Sequence, residues 1–490
     1  MRRLVENAWL ALTAGLALRL FFVFHFSSAS DDTAVYEELA TNWLKHGVYG
    51  VFTNGRLVPA DLRTPGYPAF LAAIYALSGR SGETARTGVM LAQVAVDLLT
   101  CLLIACLAFL LASGTYRRRR TVACLALWLA ATCPFIANYA AVPLTEVIAA
   151  FFTAVALLLL AALIRLLCET DFVAGGDTRL IRAVFALLGL GAAFFSGVGA
   201  LFRPETPLLL IAAWSVLAWV LWRKRLAMSW VRSVVLMGIA CLAPLAPWVV
   251  RNGVTLHEFQ LLTPPYAQLP GELVPRGFIA WEKTWLYRFR DVYLVSWKLD
   301  GEAIDLKDIP DYAFDSARER QRVGALLERY NQTLTLSPAE DAAFEEIAHE
   351  RTARRPFRTY LEIPLFRAAT MWFTPRIELL PYSGKVSPLA QAWEEDPLDL
   401  SVTIGFFLLN LLYIFLALWG AACVWGAQPE LRAVVAFLAL FVVLRTAFLT
   451  TLETPEPRYV IVCFPVILAL AAQVWPQRET ARYRSSGGSG

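Results

Sequence analysis

Two adjacent carboxylates, Asp31 and Asp32, open the first polar stretch of the chain, directly after an apolar stretch that ends at His25. If the residues that follow are helical, Asp32, Tyr36 and Leu39 lie on one face of that helix. A carboxylate there could accept a proton from an attacking hydroxyl, which is the task of a general base in group transfer. The alternative interpretation is structural, because an Asp ahead of a helix commonly serves as its N-cap.

Other polar residues offer less chemistry. The histidines, at positions 25, 46, 257 and 349, lack metal-ligand spacing. The eight cysteines all fall inside or at the edge of apolar stretches, so we expect buried small hydrophobes and not a disulfide framework or a thiolate metal site. Arg19, Asp97 and Arg445 lie within apolar stretches, where an ionisable side chain is costly, and both structural ion pairs and substrate contacts are open to them. For Arg445 we expect neutralisation by Glu453 or by another helix.

The composition is that of a membrane protein. Of 490 residues, 58% are hydrophobic and 17% charged, whereas a soluble domain is nearer half apolar and a quarter charged. The apolar residues form blocks of about 20, the length that crosses roughly 30 Å of hydrocarbon as a helix. The net charge of +4 leaves no footprint for nucleic acid. The basic clusters at 117–120 and 223–225 flank apolar blocks, as in short cytoplasmic loops.

We count ten membrane spans and place the N-terminus in the cytoplasm, because Lys and Arg are in excess in the short loops of that side. The first span lacks a small-x-small cleavage site, so we interpret it as a helix that stays and not as a signal peptide. An even number of spans returns the C-terminus to the cytoplasm, and the closing Ser-Ser-Gly-Gly-Ser-Gly has the composition of a linker. The ten spans are 8–25, 86–112, 121–137, 146–168, 181–201, 206–222, 230–250, 400–425, 433–451 and 459–475.

Two of the predicted outer loops are long, the first at 26–85 and the fourth at 251–399. Each contains an amphipathic piece, at 36–44 and at 358–372, whose apolar residues recur at helical spacing as in helices that lie flat at a membrane surface. The predicted organisation is an N-terminal transmembrane catalytic module over 1–250, an extracytoplasmic loop over 251–399, C-terminal transmembrane helices over 400–475 and a cytoplasmic tail over 476–490.

Short motifs follow one another along nearly the whole chain. After the acidic helix with its tyrosine come Gly47-Val48-Tyr49-Gly50, Arg63-Thr64-Pro65-Gly66-Tyr67-Pro68, Pro143-Leu144-Thr145-Glu146, Arg203-Pro204-Glu205, Pro247-Trp248-Val249-Val250-Arg251-Asn252 and Pro457-Arg458-Tyr459 leading into Phe464-Pro465. Each motif is weak alone, but this order resembles the GT-C glycosyltransferases, in the branch that contains the aminoarabinose transferases and the protein O-mannosyltransferases.

The chain departs from this family in two places. The best-known aminoarabinose transferases carry a Glu-Lys-Pro-Pro turn where this chain has Arg-Thr-Pro-Gly, so their phosphate-contacting Lys is missing and Arg63 is the residue that could replace it. This difference argues against aminoarabinose as the donor sugar. The Trp-Trp-Asp signature of the oligosaccharyltransferases is absent as well, which argues against that branch.

The resemblance implies an all-α polytopic membrane protein, with a GT-C-like bundle of about ten transmembrane helices and amphipathic juxtamembrane helices in the first and fourth outer loops. It implies that Glu146 is a second acid facing the site and that Asp31 or Glu146 assists Asp32. Members of the family differ in metal dependence, so a divalent cation between Asp32 and Glu146 stays open. Substrate contacts are expected from three tyrosines, Tyr36, Tyr67 and Tyr459.

Four arginines lie at predicted outer ends of spans, the depth at which a polyprenyl phosphate presents its anionic group. Arginine suits bidentate phosphate contact and keeps its charge, so we expect this set to bind the donor phosphate. For each arginine alone, snorkelling or a salt bridge is the alternative. The four are Arg63, Arg203, Arg251 and Arg458.

These features predict an inverting glycosyltransferase of the inner or plasma membrane, active on its periplasmic or extracytoplasmic face. It would move a hexosyl or pentosyl group from a polyprenyl-phosphate donor, of the undecaprenyl-phosphate type, to a hydroxyl of a lipid, a glycan or a protein. The first alternative is a transporter or flippase of a lipid-linked sugar, for which internal repeats and broken midplane helices are expected, and we find no internal repeat. The second is a non-catalytic membrane assembly subunit.

Overall fold

The computed structural model describes residues 7–169, 178–223, 227–264, 266 and 272–475, and the regular secondary structure of these residues is helical apart from one small hairpin. The chain is therefore an all-α polytopic membrane protein. The predicted tail at 476–490 and part of the basic cluster at 223–225 lie outside the described residues. The helices are α1 (Ala8–His25), α2 (Asp31–His46), α3 (Gly66–Ser78), α4 (Arg86–Leu111), α5 (Tyr116–Ala131), α6 (Pro134–Ala137), α7 (Glu146–Glu169), α8 (Thr178–Ala200), α9 (Leu208–Arg223), α10 (Ala227–Leu242), α11 (Ala246–Thr255), α12 (Arg276–Glu282), α13 (Phe289–Leu294), α14 (Ala317–Thr333), α15 (Pro338–Arg354), α16 (Ile363–Trp372), α17 (Leu389–Glu395), α18 (Pro397–Ala427), α19 (Arg432–Leu449) and α20 (Phe464–Ala471), and the strands are β1 (Gly50–Thr53) and β2 (Arg56–Pro59).

Eight helical stretches within the described residues are long and apolar enough to cross a membrane, and each matches a predicted span. The third predicted span is a bent pair, α5 followed by Pro134–Ala141, with a 52° break where Pro134 supplies no backbone N–H. The sixth is α9, an apolar helix of 16 residues. The eight are Ala8–His25, Gly82–Leu111, Glu146–Glu169, Ala183–Ala200, Val231–Thr255, Pro397–Ala427, Pro429–Leu449 and Pro457–Val474.

A buried ion pair joins three of these spans. Arg19 of α1 donates to Asp97 of α4 over 2.7 Å and to the carbonyl oxygen of Ala131, at the end of α5, over 2.8 Å. Both charged side chains are buried, so the pair is a structural one. The sequence had left open whether Arg19 and Asp97 form such a pair or contact a substrate. Because neither charge is left alone in the hydrocarbon, the fold tolerates both.

The end of the bundle that carries the first and fourth predicted outer loops is called the outer end below. In the first loop, α2 is followed by an antiparallel hairpin of β1 and β2 that the motifs did not predict. Its turn is Asn54-Gly55, and both residues have positive φ, 52° and 75°, as a tight hairpin turn requires.

The fourth loop contains a compact helical unit, residues 276–354, called the outer unit below. Its helices bury a hydrophobic core of their own, centred on Trp281, Trp285 and Phe344. The sequence predicted amphipathic helices in this loop and did not predict that its helices share a core. The piece predicted at 358–372 begins with a π-helical turn, Arg358–Glu362, continues as α16 and exposes Tyr360, Leu365 and Phe366.

Candidate active site

The start of α2 places Asp32 and leaves its carboxylate free for other partners. Ser30 is the N-cap, because its side chain accepts a hydrogen bond from the Thr33 backbone N–H while the Thr33 hydroxyl accepts from the Ser30 backbone N–H. The alternative interpretation of Asp31 or Asp32 as the N-cap was therefore wrong, because Ser30 has that role. The Thr33 hydroxyl also donates to the carbonyl oxygen of Pro143 over 3.1 Å, which ties α2 to the segment that leads into α7.

Two arginines from distant segments hold the Asp32 carboxylate. Arg63 binds one oxygen at 2.7 Å and Arg458 binds the other at 2.9 Å. Burial alone would raise the pKa of Asp32, but the charges and hydrogen bonds of Arg458 and Arg63 outweigh it and hold the pKa at about 2. In the free protein this carboxylate is ionised and both of its oxygens are occupied.

A second buried acid lies beside the first. Glu146, the first residue of α7, is paired with Arg203, and its other oxygen has no hydrogen-bond partner among the described residues. The Arg458 Nε lies 3.9 Å from Glu146, so Arg458 stands between the two acids. Burial lowers the pKa of Arg203, but the charges of Glu146 and Glu205 outweigh burial and raise it. The sequence prediction that Asp32 and Glu146 face one site describes this arrangement.

The third carboxylate of this site, Glu456, was not predicted from the sequence. It is buried and lies 2.6 Å from Arg458 Nε, while the hydroxyls of Tyr459 and Thr454 donate to its second oxygen. Its place two residues before Arg458 was the signal that could have found it. These three acids and three arginines are called the charge cluster below: Asp32, Arg63, Glu146, Arg203, Glu456 and Arg458.

A glycine brings the turn that follows Arg63 against the loop that carries Arg203. The Gly66 backbone N–H donates to the Leu201 carbonyl oxygen over 2.8 Å. A Cβ at position 66 would lie 2.4 Å from that same oxygen, closer than carbon and oxygen can approach. The Pro-Gly-Tyr-Pro motif therefore has a physical reason, since residue 66 must be glycine for the two loops to meet.

The three predicted tyrosines have different positions. Tyr36 is buried against the Tyr67 ring at 5.1 Å, and burial and then the Asp32 charge raise the pKa of Tyr36 to about 12, which places its hydroxyl in the field of the cluster. Tyr459 donates to Glu456 and lies under the Arg203 guanidinium. Tyr67 is fully buried and donates to Gln93 over 2.6 Å, and its predicted substrate contact stays a prediction.

Two other predicted site residues are not part of the cluster. Arg251 donates to the carbonyl oxygens of Tyr49 and Ala60 at 2.5 and 3.0 Å and lies over the Tyr49 and Trp248 rings. It holds the ends of the hairpin segment, and its predicted phosphate contact stays a prediction. Asp31 is exposed, and no hydrogen bond or ion pair involves its side chain in the described part of the chain.

Arg445, deep in α19, is neutralised from another part of the chain. Its partner is Glu205 at 2.8 Å, in the turn between α8 and α9, so the partner is neither Glu453 nor a residue of another helix. No three His, Cys, Asp or Glu side chains of the described residues come close enough together to hold a metal ion. Asp32 and Glu146 are instead each paired with arginine.

The fold and the cluster together define a polytopic α-helical membrane protein with a partly exposed site of arginines and carboxylates at the outer end of its bundle. No protein-family model and no curated protein sequence matches the chain. Solved structures do resemble it. The oligosaccharyltransferase AglB from Archaeoglobus fulgidus, in complex with an inhibitory peptide and a dolichol-phosphate, has a TM-score of 0.48 at 12% identity, over 95% of this chain and 50% of that chain.

Two further structures extend this similarity. The same oligosaccharyltransferase in its apo form has a TM-score of 0.48 at 13% identity, with coverage of 95% and 50%. ArnT from Cupriavidus metallidurans, bound to undecaprenyl phosphate, has a TM-score of 0.36 at 15% identity, over 95% of this chain and 77% of that chain. The chain thus spans about half the length of the oligosaccharyltransferase chains. The identities are 12 to 15%, and the TM-scores all lie below 0.5.

Proposed function

We propose that this chain is an inverting glycosyltransferase that moves a sugar from a polyprenyl-phosphate donor to a hydroxyl of an extracytoplasmic acceptor. The observation that supports it most is the Asp32 carboxylate held between Arg63 and Arg458 at the outer end of the bundle. A carboxylate can take a proton, and a pair of arginines can bind a phosphate. Transfer from a lipid phosphate requires both groups at one place.

The donor phosphate and Asp32 would compete for the same two arginines. The side chains of Arg63 and Arg458 are 30% and 18% exposed, so a ligand can reach them. These arginines keep the pKa of Asp32 at about 2, which makes the resting carboxylate a weak base. When a phosphate takes over their N–H groups and adds its own negative charge, the pKa of Asp32 rises. Donor binding therefore turns a structural anion into a stronger base.

The chemical step then follows from these roles. The acceptor oxygen attacks the anomeric carbon while the bond from that carbon to the phosphate oxygen breaks on the opposite face, so the configuration inverts. The acceptor proton passes to Asp32, and the lipid phosphate leaves with the bonding electron pair. Arg63 and Arg458 stabilise the charge that grows on the leaving oxygen, which lowers the energy of the transition state more than that of the bound donor.

The other members of the cluster orient Arg458. Glu456 binds its Nε at 2.6 Å, and Glu146, itself paired with Arg203, lies on the same side at 3.9 Å. Arg203 would add a third positive charge beside the phosphate. In this proposal the carrier's tail lies in the surrounding bilayer lipids, the cluster faces the periplasm or cell exterior, and both termini are cytoplasmic.

Transfer from a panel of radiolabelled polyprenyl-phosphate sugars to cell-envelope extracts tests the proposal. The purified wild type should label a lipid, glycan or protein fraction, and Asp32→Asn should lose this activity while it binds the lipid phosphate as well as the wild type or more tightly, because a competitor for the arginines is gone. Asp31→Asn makes the same change one residue earlier at an exposed side chain, and we expect activity near that of the wild type.

Two results would count against the proposal. Full activity in Asp32→Asn would remove this residue from the mechanism. Saturable lipid binding by both proteins without transfer from any donor would favour a transporter or flippase of the lipid-linked sugar.

A further inference from the structure

Gln93 of α4 is a buried amide that joins three segments of the site. Its side chain is fully buried within the span Gly82–Leu111, where a polar group is costly unless it has partners. The sequence motifs do not include it, and the mechanism described above does not use it. The nitrogen and the oxygen of this amide bind different segments.

The amide nitrogen of Gln93 holds the segment that leads into α7. It lies 2.9 Å from the carbonyl oxygen of Val142, 3.3 Å from that of Ala140 and 3.4 Å from that of Tyr139. Because a carbonyl oxygen accepts and never donates, these contacts also fix which way the amide points. Glu146 follows Val142 by four residues, so this group places the start of α7.

The same segment also places Asp32. The Thr33 hydroxyl donates to the carbonyl oxygen of Pro143 over 3.1 Å. The Ser28 backbone N–H donates to the carbonyl oxygen of Ala141 over 3.3 Å. Both donors flank the capped start of α2, which carries Asp32. The first acid of the charge cluster is therefore positioned against the segment that the buried amide holds.

The amide oxygen of Gln93 binds the turn that carries Arg63. Tyr67, four residues after Arg63, donates from its hydroxyl to this oxygen over 2.6 Å. One amide thus contacts the turn of Arg63 and the segment before Glu146 directly, and it reaches the start of α2 through one further hydrogen bond. It needs an acceptor on one side and donors on the other, and glutamine offers both.

We propose that Gln93 is a positioning residue for transfer, which sets the relative placement of Asp32, Arg63 and Glu146. The inference rests on the proposed transferase function. A displacement of about 1 Å at a site can cost about a hundredfold in rate. Loss of the amide should lower kcat more than lipid binding, because Arg63 and Arg458 can follow the phosphate on long side chains. Asp32, in contrast, must lie within hydrogen-bond reach of the acceptor hydroxyl.

Transfer kinetics of Gln93→Met test the proposal. Methionine has nearly the shape of glutamine and lacks its strong donor and acceptor. We expect kcat to fall about tenfold to a hundredfold, while binding of undecaprenyl phosphate without a sugar stays near the wild-type level. Gln93→Glu keeps an acceptor for Tyr67 but turns an oxygen toward the three carbonyls, so its kcat should fall as well. Wild-type kcat in both variants would overturn the proposal.

Gln473→Met is the matched control. Gln473 is another buried amide, and its nitrogen donates to the carbonyl oxygens of Ala108 at 2.9 Å and Ala469 at 3.2 Å. It lies at the end of the span Pro457–Val474 opposite to Arg458. We expect a lower unfolding temperature, as in the other methionine variant, with kcat near that of the wild type. Equal losses of kcat in the two methionine variants would reflect stability alone and overturn the positioning role.

A double-mutant cycle tests the link to the turn of Arg63. Tyr67→Phe alone should lower kcat, by less than Gln93→Met, because the amide keeps its contacts with the three carbonyls. In the Gln93→Met background the same change should have no further effect, since the acceptor for the hydroxyl is already gone. Losses that multiply in the double variant would show that the two side chains act independently and would overturn the proposal. Tyr67→Phe and Gln93→Glu provide the test if Gln93→Met does not fold.

Hydrogen exchange separates a failure of this inference from a failure of the proposed function. In Gln93→Met the amides of residues 28–36 and 139–148 should exchange faster than in the wild type, and in Gln473→Met they should not. Equal protection in Gln93→Met and the wild type would overturn the inference whether or not the protein transfers a sugar. Absence of transfer by the wild type, together with faster exchange in Gln93→Met, would overturn the proposed function and still support placement of the charge cluster by Gln93.

Discussion

Two carboxyl groups of this protein, Asp32 and Glu282, differ in charge near neutral pH because their contacts differ. Asp32 touches two guanidinium groups, and its pKa is held at about 2. Among the described residues, the Ser296 hydroxyl is the one hydrogen-bond donor to Glu282 of the outer unit, at 2.6 Å, and burial raises the pKa of Glu282 to about 8. The positive charge of Arg367 also lowers the pKa of Glu282, but the Arg367 N–H groups donate to backbone carbonyl oxygens and not to Glu282. Burial therefore decides the charge of an acid unless a cation is in direct contact with it.

The raised pKa of Glu282 makes the stability of the outer unit depend on pH. Because its pKa is higher in the fold than in the unfolded chain, this contribution is fully present below about pH 4.5 and is lost as the pH rises through about 8. We expect Glu282→Gln to unfold at a higher temperature than the wild type above pH 8 and to flatten the pH dependence. Thermal unfolding between about pH 5 and pH 9 measures both effects. The exposed Glu328→Gln is the control, and equal slopes in wild type and Glu282→Gln would contradict the assignment.

For individual residues, the sequence indicated which residue types could act and at which ends of the spans they lie. It could not indicate which side chains contact one another. Asp32 meets Arg63 across 31 positions and Arg458 across 426, and no local pattern encodes such contacts. Arg251 lies at the predicted outer end of a span, but its N–H groups turn to the carbonyls of a hairpin segment that was itself not predicted. Tyr67 belongs to the motif that begins at Arg63, and its hydroxyl donates to Gln93.

Elements were predicted where a long apolar block sets their length. All eight of the helical stretches that meet the length and hydropathy requirement were expected, and α2 begins where the acidic motif indicated. The core of the outer unit was missed because it is divided among helices of 6 to 17 residues, too short for any of them to show the core by its own periodicity. The bend in the third span follows from Pro134, which was visible in the sequence.

The contact between two outer loops at Gly66 supports a prediction at the scale of elements. Gly66→Ala would place a methyl group 2.4 Å from the Leu201 oxygen, so the turn that follows Arg63 must move away from the loop that holds Arg203. We expect a loss of about 1 to 3 kcal/mol in stability and a larger fractional loss of transfer activity, since Arg63 and Arg203 would separate. Thermal unfolding and the transfer assay measure the two effects.

Gly88→Ala is the matched control for this experiment. A Cβ at position 88 meets only Ile74, at 3.8 Å, which is ordinary contact within the described residues. It should leave stability and activity at or above the wild-type level, because alanine favours a helix more than glycine does. Equal behaviour of the two variants would show that the Gly66 contact does not position the cluster.

In the whole molecule, Arg367 joins the outer unit to the bundle. It donates to carbonyl oxygens of Leu286 on one side and of Thr450, Leu452 and Glu453 on the other. A buried guanidinium that binds four carbonyls cannot be replaced by an ammonium group, which has one nitrogen on a flexible stem. The position of the outer unit relative to the charge cluster therefore depends on one residue.

We expect Arg367→Lys to loosen this junction without unfolding the spans. Hydrogen exchange should become faster in residues 284–297 and 448–456, while α4 and α7 keep their protection, and transfer activity should fall because the outer unit no longer holds its position. Arg322→Lys changes an arginine of the same unit that makes surface ion pairs with Glu346 and Glu350, and it should have little effect. Unchanged exchange at 448–456 in Arg367→Lys would contradict the junction.

The buried pair of Arg19 and Asp97 also has a consequence for how the molecule is made. Arg19 precedes Asp97 by 78 positions in the chain, so during synthesis it enters the membrane before Asp97 has been made. An unpaired arginine within a span costs about 2.5 to 3.5 kcal/mol at insertion, so the first helix is poorly suited to the lipid on its own. It becomes stable in the bilayer only when α4, which carries Asp97, leaves the insertion machinery and packs against it. Assembly of the bundle at the translocon therefore has an order, in which α4 completes the insertion of α1.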